Sequence, residues 1–220
     1  MKRKLHHTQT TSELIAEGIR NAIIKGDFEI GKPLKQDVLA EQYGVSKIPV
    51  REALNQLKIE GLADFQNNRG AVVSSLSLSE VEEIYTMRIA LEQIALERAI
   101  PNIQIANTIA AESALKLADA STNPLDWASM NWHFHASLYK AADMPKLLDT
   151  VSILHNNVVR YLVLYLKKLN HQSSSQVEHW ALLAACSAGK TDQAIDILQK
   201  HLQGALKQTL EYMRYQDTQK

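Results

Sequence analysis

The chain has 220 residues, 45% of them apolar, with 24 Lys+Arg against 24 Asp+Glu and one cysteine. That length suits one large or two small domains of ordinary globular composition, and the lone thiol of Cys186 excludes a disulfide within the chain and fits a reducing, cytoplasmic setting. The zero net charge conceals a weak asymmetry, 11 Lys+Arg against 9 Asp+Glu over residues 1–75 and 13 against 15 over residues 76–220, so where the cations sit carries more than their sum.

Met1-Lys2-Arg3-Lys4 opens a basic arm over residues 1–10; no apolar run comes after it, so it does not read as a signal peptide. Thr11 or Ser12 is expected to cap a helix that runs to about Lys25, with Leu14, Ile15, Ile19, Ala22 and Ile23 on its buried side and Gly26-Asp27 at its end. Phe28 to Pro33 reads as an extended link, because Pro33 disfavours helix at Lys32. The next helix runs from about Lys35 to Tyr43, with Val38 and Leu39 inward, and Gly44 ends it in the left-handed conformation that glycine enters cheaply. Ser46 is placed to cap a second helix, Pro49 falls in its tolerant first turn, and Val50, Ala53, Leu54 and Leu57 make one apolar stripe. Leu62 to Gln66 and Ala71 to Ser74 read as two short strands joined through Asn67-Asn68-Arg69-Gly70. Residues 11–75 therefore outline a winged helix-turn-helix, whose second helix enters the major groove of double-stranded DNA.

Leu76 to Leu78 reads as a linker, and Ser79 with Glu82 as the capping box of the first helix beyond it. Helices are expected at about 79–100, 103–119, 125–141, 145–169, 174–188 and 191–214, separated by Pro101-Asn102, residues 121–124, Asp143-Met144-Pro145, residues 171–174 and Gly189-Lys190. The fold class is thus mainly α: an N-terminal winged helix-turn-helix and a C-terminal six-helix antiparallel bundle over residues 79–220, large enough to enclose a cavity. The most apolar stretch, Val151 to Leu166, is interrupted by His155, Asn156, Asn157 and Arg160, which makes it a buried helix and not a membrane span.

Affinity for DNA comes mainly from cations set against phosphates, and specificity from side chains that reach base edges. Ser46, Lys47, Ile48 and Arg51 open the second helix, and Arg51 has the reach to pair bidentately with a guanine. Lys35 and Gln36 open the first helix, whose N-terminal amides can hold a phosphate. Asn67, Asn68, Arg69 and Gly70 form the wing tip, which can enter the minor groove or grip the backbone. Ordinary solvated charges would explain each of these residues singly, but not their order along a helix, turn, helix and wing.

In the second domain, Asn131 and His135 lie four apart on one helical face with Trp127 and Leu138. His179 shares a face with Leu182, Leu183 and Cys186, and His201 with Ala194, Ile197, Leu198 and Ala205. One inward histidine is most often a satisfied core residue; three imidazoles and an amide from three helices suit a divalent metal such as zinc or nickel with a position left open. Arg88 interrupts the inward stripe of Val81, Ile84, Leu91 and Ala95. A buried guanidinium needs an anion, either Glu92 one turn on or a carboxylate effector. Asn156 and Arg160 share a face with Ile153 and Leu164, where they either line the same cavity or make core hydrogen bonds.

The run Val45-Ser46-Lys47-Ile48-Pro49-Val50-Arg51-Glu52-Ala53-Leu54, followed by Leu57 and Glu60-Gly61-Leu62, resembles the DNA-binding signature of the GntR transcription regulators. The likeness extends back through Ile23-Ile24-Lys25-Gly26 and Gly31-Lys32-Pro33-Leu34 and forward to Arg69-Gly70. Ile48 stands where that family often has threonine. The helical remainder resembles the FCD effector domain of the FadR-like branch, and six helices rather than seven resemble its VanR-like subgroup. The resemblance implies a metal pattern of Asp-x-x-x-His, a Glu-His pair and a final histidine, which here falls on Asn131, His135, Glu178-His179 and His201. Asn131 replaces the expected carboxylate, which implies weaker metal binding. The resemblance also favours a carboxylate effector at Arg88.

The expectation is a non-enzymatic DNA-binding regulator, a repressor or an activator. It would be a homodimer on a palindromic operator, with affinity controlled by a small organic acid and with a divalent metal as candidate cofactor. Two rivals remain. A metal-dependent hydrolase would need a general base that no Asp or Glu clearly supplies, and an effector-independent architectural DNA binder would leave the inward polar cluster without a purpose.

Overall fold

The computed structural model describes residues 9–67, 69–169 and 173–218. Residues 1–8 of the basic arm, Asn68 of the wing tip, and residues 170–172, which include the first part of the break expected over residues 171–174, lie outside the described residues. The chain divides into two compact units, Met1–Ser75 and Leu76–Lys220.

In the first unit, helix α1 spans Thr11–Lys25, α2 Gln36–Tyr43 and α3 Lys47–Ile59, and strands β1 (Ala63–Gln66) and β2 (Gly70–Val73) form an antiparallel hairpin with Ala63 opposite Val73 and Gln66 opposite Gly70. The cap of α1 is Thr10, one residue before those expected. It completes a box with Glu13, each side chain taking the other residue's backbone N–H. Gly44 ends α2 at φ 65° as expected. Ile15, Ala16, Ile19 and Ile23 of α1 pack on Val50, Ala53, Leu54 and Leu57 of α3 and on Leu34, Leu39, Leu62 and Ala71. Two residues expected inside are not: Val38 is 55% and Leu14 52% exposed. Each lies one position off the stripe that faces α3, and Leu39 and Ile15 take the inward places. The segment expected to be a plain link does more. Leu34 N–H donates to Ala71 C=O at 2.8 Å and Val73 N–H to Lys32 C=O at 2.9 Å, so residues 31–34 run along the free edge of β2 and fasten the wing to the helices.

The second unit is helical throughout its described residues: α4 Leu78–Ala99, α5 Ile105–Ala120, α6 Pro124–Tyr139, α7 Pro145–Leu169, α8 Ser173–Ser187 and α9 Thr191–Asp217, with short 3-10 turns at Ile100–Asn102 and Lys140–Ala142. The cap of α4 is Ser77 with Glu80 at the third helical position, not Ser79 with Glu82. Leu76 N–H donates to the Tyr161 hydroxyl at 3.0 Å, so the residues expected as a linker are tied into the helical unit. No described helix is long and apolar enough to cross a membrane.

Helix α4 packs on α9 and α7, α5 on α6 and α8, and α8 on α9. Two apolar clusters result. One gathers Ala95, Leu96, Phe134, Leu138, Leu182, Cys186 and Leu198; the other gathers Val81, Ile84, Tyr85, Val158, Tyr161 and Leu210. Along α4 the interval between Tyr85 and Ala95 carries Arg88 and Glu92, and along α9 the interval between Leu198 and Leu210 carries His201. A layer of buried polar side chains thus crosses the bundle between two dry ends.

Candidate functional sites

At the start of α3, Lys47, Ile48 and Arg51 are all exposed while the stripe behind them is fully buried, so the reading face stands clear of the core. Ile48 is 60% exposed, a large apolar side chain with no packing reason to face water. Arg51 makes no hydrogen bond or ion pair to a described residue, whereas Lys47 Nζ lies 2.6 Å from Asp37 Oδ1 in a solvent-exposed pair. Neither α2, preceded by Lys35, nor α3, preceded by Ser46, has a side chain bonded to its first-turn amides, in contrast to the boxed starts of α1 and α4. Amides left open at two adjacent helix starts are suited to phosphate. Lys35 is exposed and Gln36 half-buried beside the start of α2. Asn67 and Arg69 are exposed at the wing tip, and Gly70 comes next at φ 70°, where a side chain would be strained.

The buried layer of the second unit brings His135, His179 and His201 together, their candidate ligand atoms all within 4.8 Å of one another. Each ring is held from behind at Nδ1. His179 Nδ1 lies 2.8 Å from Gln176 Oε1, an acceptor, so Nδ1 carries the proton. His201 Nδ1 lies 2.8 Å from Glu178 Oε2 and donates likewise. The Tyr139 hydroxyl spends its proton on Glu92 Oε2 at 2.7 Å and therefore accepts from His135 Nδ1 at 3.2 Å. All three Nε2 lone pairs are left facing one another. Asn131 Nδ2 donates to His179 Nε2 at 3.1 Å, His201 Nε2 lies 3.3 Å from the same atom, and His135 Nε2 has no partner among the described residues. Burial first, and the neighbouring imidazoles second, hold His135 and His179 well below the usual histidine pKa, so both are neutral donors. Cys186 is near but inert, its buried thiol pushed up to about 12.

Beside the cluster lies a narrow cavity with a volume of about 20 Å³, room for little more than a water molecule. Asn131, His201, Arg88, His155 and Trp127 are among its lining residues. Arg88 is 6% exposed. Its Nε donates to Glu92 Oε1 at 2.8 Å, and its two Nη groups make no hydrogen bond to a described residue. Burial is the largest single influence and works against that charge, but Glu92, Tyr85 and Tyr139 together outweigh it and hold the guanidinium pKa above its ordinary value. The Trp127 indole N–H is buried without an acceptor among the described residues. His155 stacks on Trp132 with ring centroids 4.7 Å apart, and burial, then Arg88, lowers its pKa well below the usual value.

Of the residues expected to bind an effector, Arg88 lines this cavity, and Asn156 and Arg160 do not. Arg160 is buried with Nη2 3.3 Å from the Tyr161 hydroxyl and its guanidinium over the Tyr161 ring, a core arrangement away from the cavity. Of the two partners expected for Arg88, Glu92 is the one present, on Nε. Sequence reasoning missed Tyr139, Gln176 and Trp127. Tyr139 is four residues after His135 and Gln176 three before His179, so helical spacing alone places each beside its histidine.

Comparison with known proteins bears on both sites. Residues 11–73 match the family described as bacterial regulatory proteins, gntR family, and residues 83–204 match the FCD domain. The HTH-type transcriptional repressor GlaR of Escherichia coli K12 is 28% identical over 195 residues, 84% of this chain and 89% of that one. A solved GntR-family regulator from Pseudomonas syringae pv. tomato DC3000 is 32% identical, with TM-score 0.62, over 94% of this chain and 87% of its own. The E. coli protein McbR/YncC, 21% identical, is similar in fold, with TM-score 0.83 over 94% of this chain and 100% of its own.

Proposed function

We propose, for a chain that belongs to the gntR family of bacterial regulatory proteins and carries an FCD domain, a repressor whose hold on operator DNA is set by a small carboxylate and a divalent metal in the helical unit. The chain is a DNA-binding transcriptional regulator. In the finer reading, α3 enters the major groove, Arg51 donates to a guanine, Ile48 touches a neighbouring base, and Ser46 and Lys47 lie against the backbone. Lys35 and Gln36 at the start of α2 and the wing tip at Asn67, Asn68, Arg69 and Gly70 complete the grip. Two copies related by a two-fold axis would read a palindromic operator. GlaR carries the name repressor, and the same sense of regulation is proposed here.

The observation that carries the effector reading is the direction of the three imidazoles. Three Nδ1–H groups are spent on Gln176, Glu178 and Tyr139, which orients the rings and leaves three lone pairs converging, the outer-shell arrangement that metal-binding histidines need. His135, His179 and His201 would hold zinc or nickel. Asn131 would join through Oδ1 if its amide turned from the orientation that now donates to His179. When bound, the ion would act as a Lewis acid that grips an anion from the cavity. Arg88 and the Trp127 N–H supply donors for a carboxylate on that side. Of the carboxylates against the cluster, Glu92 and Glu178 are both engaged by the layer's own donors, so neither stands free as a general base, which favours a binding site over a hydrolase.

The test is the metal content of tag-free full-length protein, together with Asn131→Asp. About one zinc or nickel per chain supports the reading; none in either protein removes it. Operator binding tracked by fluorescence anisotropy, using duplexes selected by the protein from a random pool, should change when a small carboxylate is added to the metal-loaded form. A coupling of about 1–3 kcal/mol is the size such regulation needs.

A further inference from the structure

The junction between the two units is bounded on each side by hydrogen bonds that stay within one unit. On the DNA-binding side, Ser74 is 4% exposed; its N–H donates to Leu62 C=O at 3.1 Å and its hydroxyl to Gly61 C=O at 2.6 Å. On the helical side, Leu76 N–H donates to the buried Tyr161 hydroxyl at 3.0 Å, and Arg160 Nη2 donates to the same oxygen at 3.3 Å, which holds it in place. The Leu76 side chain packs on the apolar cluster of Val81, Val158 and Tyr161, and Ser77 opens α4 with its capping box. Between these anchors stands Ser75, exposed and without a hydrogen bond to a described residue. A tether of one residue turns about only two soft dihedrals.

We propose that Tyr161 is a positioning residue for operator recognition: by holding Leu76 it confines the hinge to Ser75 and so limits the half-site spacings that two DNA-binding units can reach. The inference rests on the reading of a dimer on a palindromic operator. Tyr161 acts through the tether and not by contact with DNA. Removing its hydroxyl leaves the Leu76 amide unpaired and frees one more residue in each protomer. One extended residue spans about 3.3–3.6 Å, close to the rise of about 3.4 Å per base pair, so two protomers would gain reach of about two base pairs.

The experiment measures the affinity of full-length protein, by fluorescence anisotropy, for duplexes carrying two inverted copies of the half-site it selects from a random pool. The separation of the copies is varied in single base pairs over about one helical turn. Native protein should prefer one narrow range and lose about 100-fold at spacings the tether cannot span. Tyr161→Phe should keep the best spacing and bind duplexes one or two base pairs to either side within about tenfold of it. Thr209→Val removes another buried hydroxyl of the helical unit, one that shares a hydrogen bond with Tyr85 and does not touch Leu76, and should keep the native profile. Amide exchange in native protein needs no variant: Leu76 should be protected and Ser75 should not. An unchanged profile in Tyr161→Phe, equal broadening in Thr209→Val, a native protein indifferent to spacing, or a Leu76 amide that exchanges as fast as that of Ser75 overturns the role of Tyr161 while the dimer reading stands. Native protein that binds as one chain per duplex, with no gain from a second half-site, removes the dimer reading and the inference with it.

Discussion

Replacing Tyr139 by phenylalanine takes one oxygen atom out of the buried layer and leaves its volume nearly unchanged. That oxygen donates to Glu92 at 2.7 Å and accepts from His135 Nδ1 at 3.2 Å. The side chain is fully buried, so water cannot take over either bond. A hydrogen bond to a charged group is worth about 1.5–3 kcal/mol, and a buried N–H left without an acceptor costs about 1–3 kcal/mol. Both belong to one network and do not simply add, so Tyr139→Phe should destabilise the helical unit by about 2–4 kcal/mol. All three tryptophans, Trp127, Trp132 and Trp180, lie in that unit, so their fluorescence in a urea titration reports it alone. The midpoint should fall with the slope unchanged. The same substitution frees the His135 tautomer, and zinc affinity should drop about 10- to 100-fold. A loss below about 0.5 kcal/mol, with zinc affinity unchanged, would mean the hydroxyl holds neither neighbour and the buried layer is organised some other way.

Burial keeps His135, His155 and His179 neutral in the folded protein, well below the value of 6.5 at which they titrate when unfolded. The unfolded chain therefore binds more protons below about pH 6.5. Metal-free stability should be full above that value and fall as pH drops toward the folded pKa values, by up to about 1.4 kcal/mol per pH unit per histidine; urea midpoints that stay flat from about pH 7.5 to 5.5 would contradict this. Arg20 makes two parallel bonds to Glu60, at 2.8 and 2.7 Å, that join α1 to the end of α3. Arg20→Ala should cost the DNA-binding unit about 1–3 kcal/mol in thermal melts, and Arg20→Lys should recover only part because lysine cannot make the paired geometry. If exposed Ile48 meets a thymine methyl, uracil in place of that thymine should weaken native binding by about 0.8 kcal/mol, roughly fourfold, and leave Ile48→Ala insensitive. An operator in which no thymine position shows the effect would exclude that contact.

Much of the fold is legible in the sequence because short-range rules settle it. The stripe of Val50, Ala53, Leu54 and Leu57, the αL stop at Gly44 and the bundle's helix breaks all depend on neighbours within a turn or two. The two caps shift where candidates crowd together. Ser77 and Ser79 each have a glutamate three residues on, at Glu80 and Glu82, and local pattern does not choose between them. Leu14 and Val38 read as inward because an apolar residue one position off the stripe looks the same in sequence as one on it. In the second unit the three histidines can be named from their faces, yet what makes them a site cannot. The bond between Glu178 and His201 joins α8 to α9, and that between Tyr139 and Glu92 joins α6 to α4. The separation of Arg160 from the cavity is likewise a matter of how α7 turns its faces, which no spacing along one helix reveals.

Helices α2 and α3 begin with their amides unclaimed by side chains, while α1 and α4 begin sealed. In the proposed DNA complex, backbone phosphates of the duplex would supply the acceptors that no side chain supplies at these two helix starts. Before the operator is found, those first turns should exchange their amide hydrogens readily with water. On the operator they should become slow to exchange together, and α1 should change little. A recognition surface of that kind would be completed only on its target.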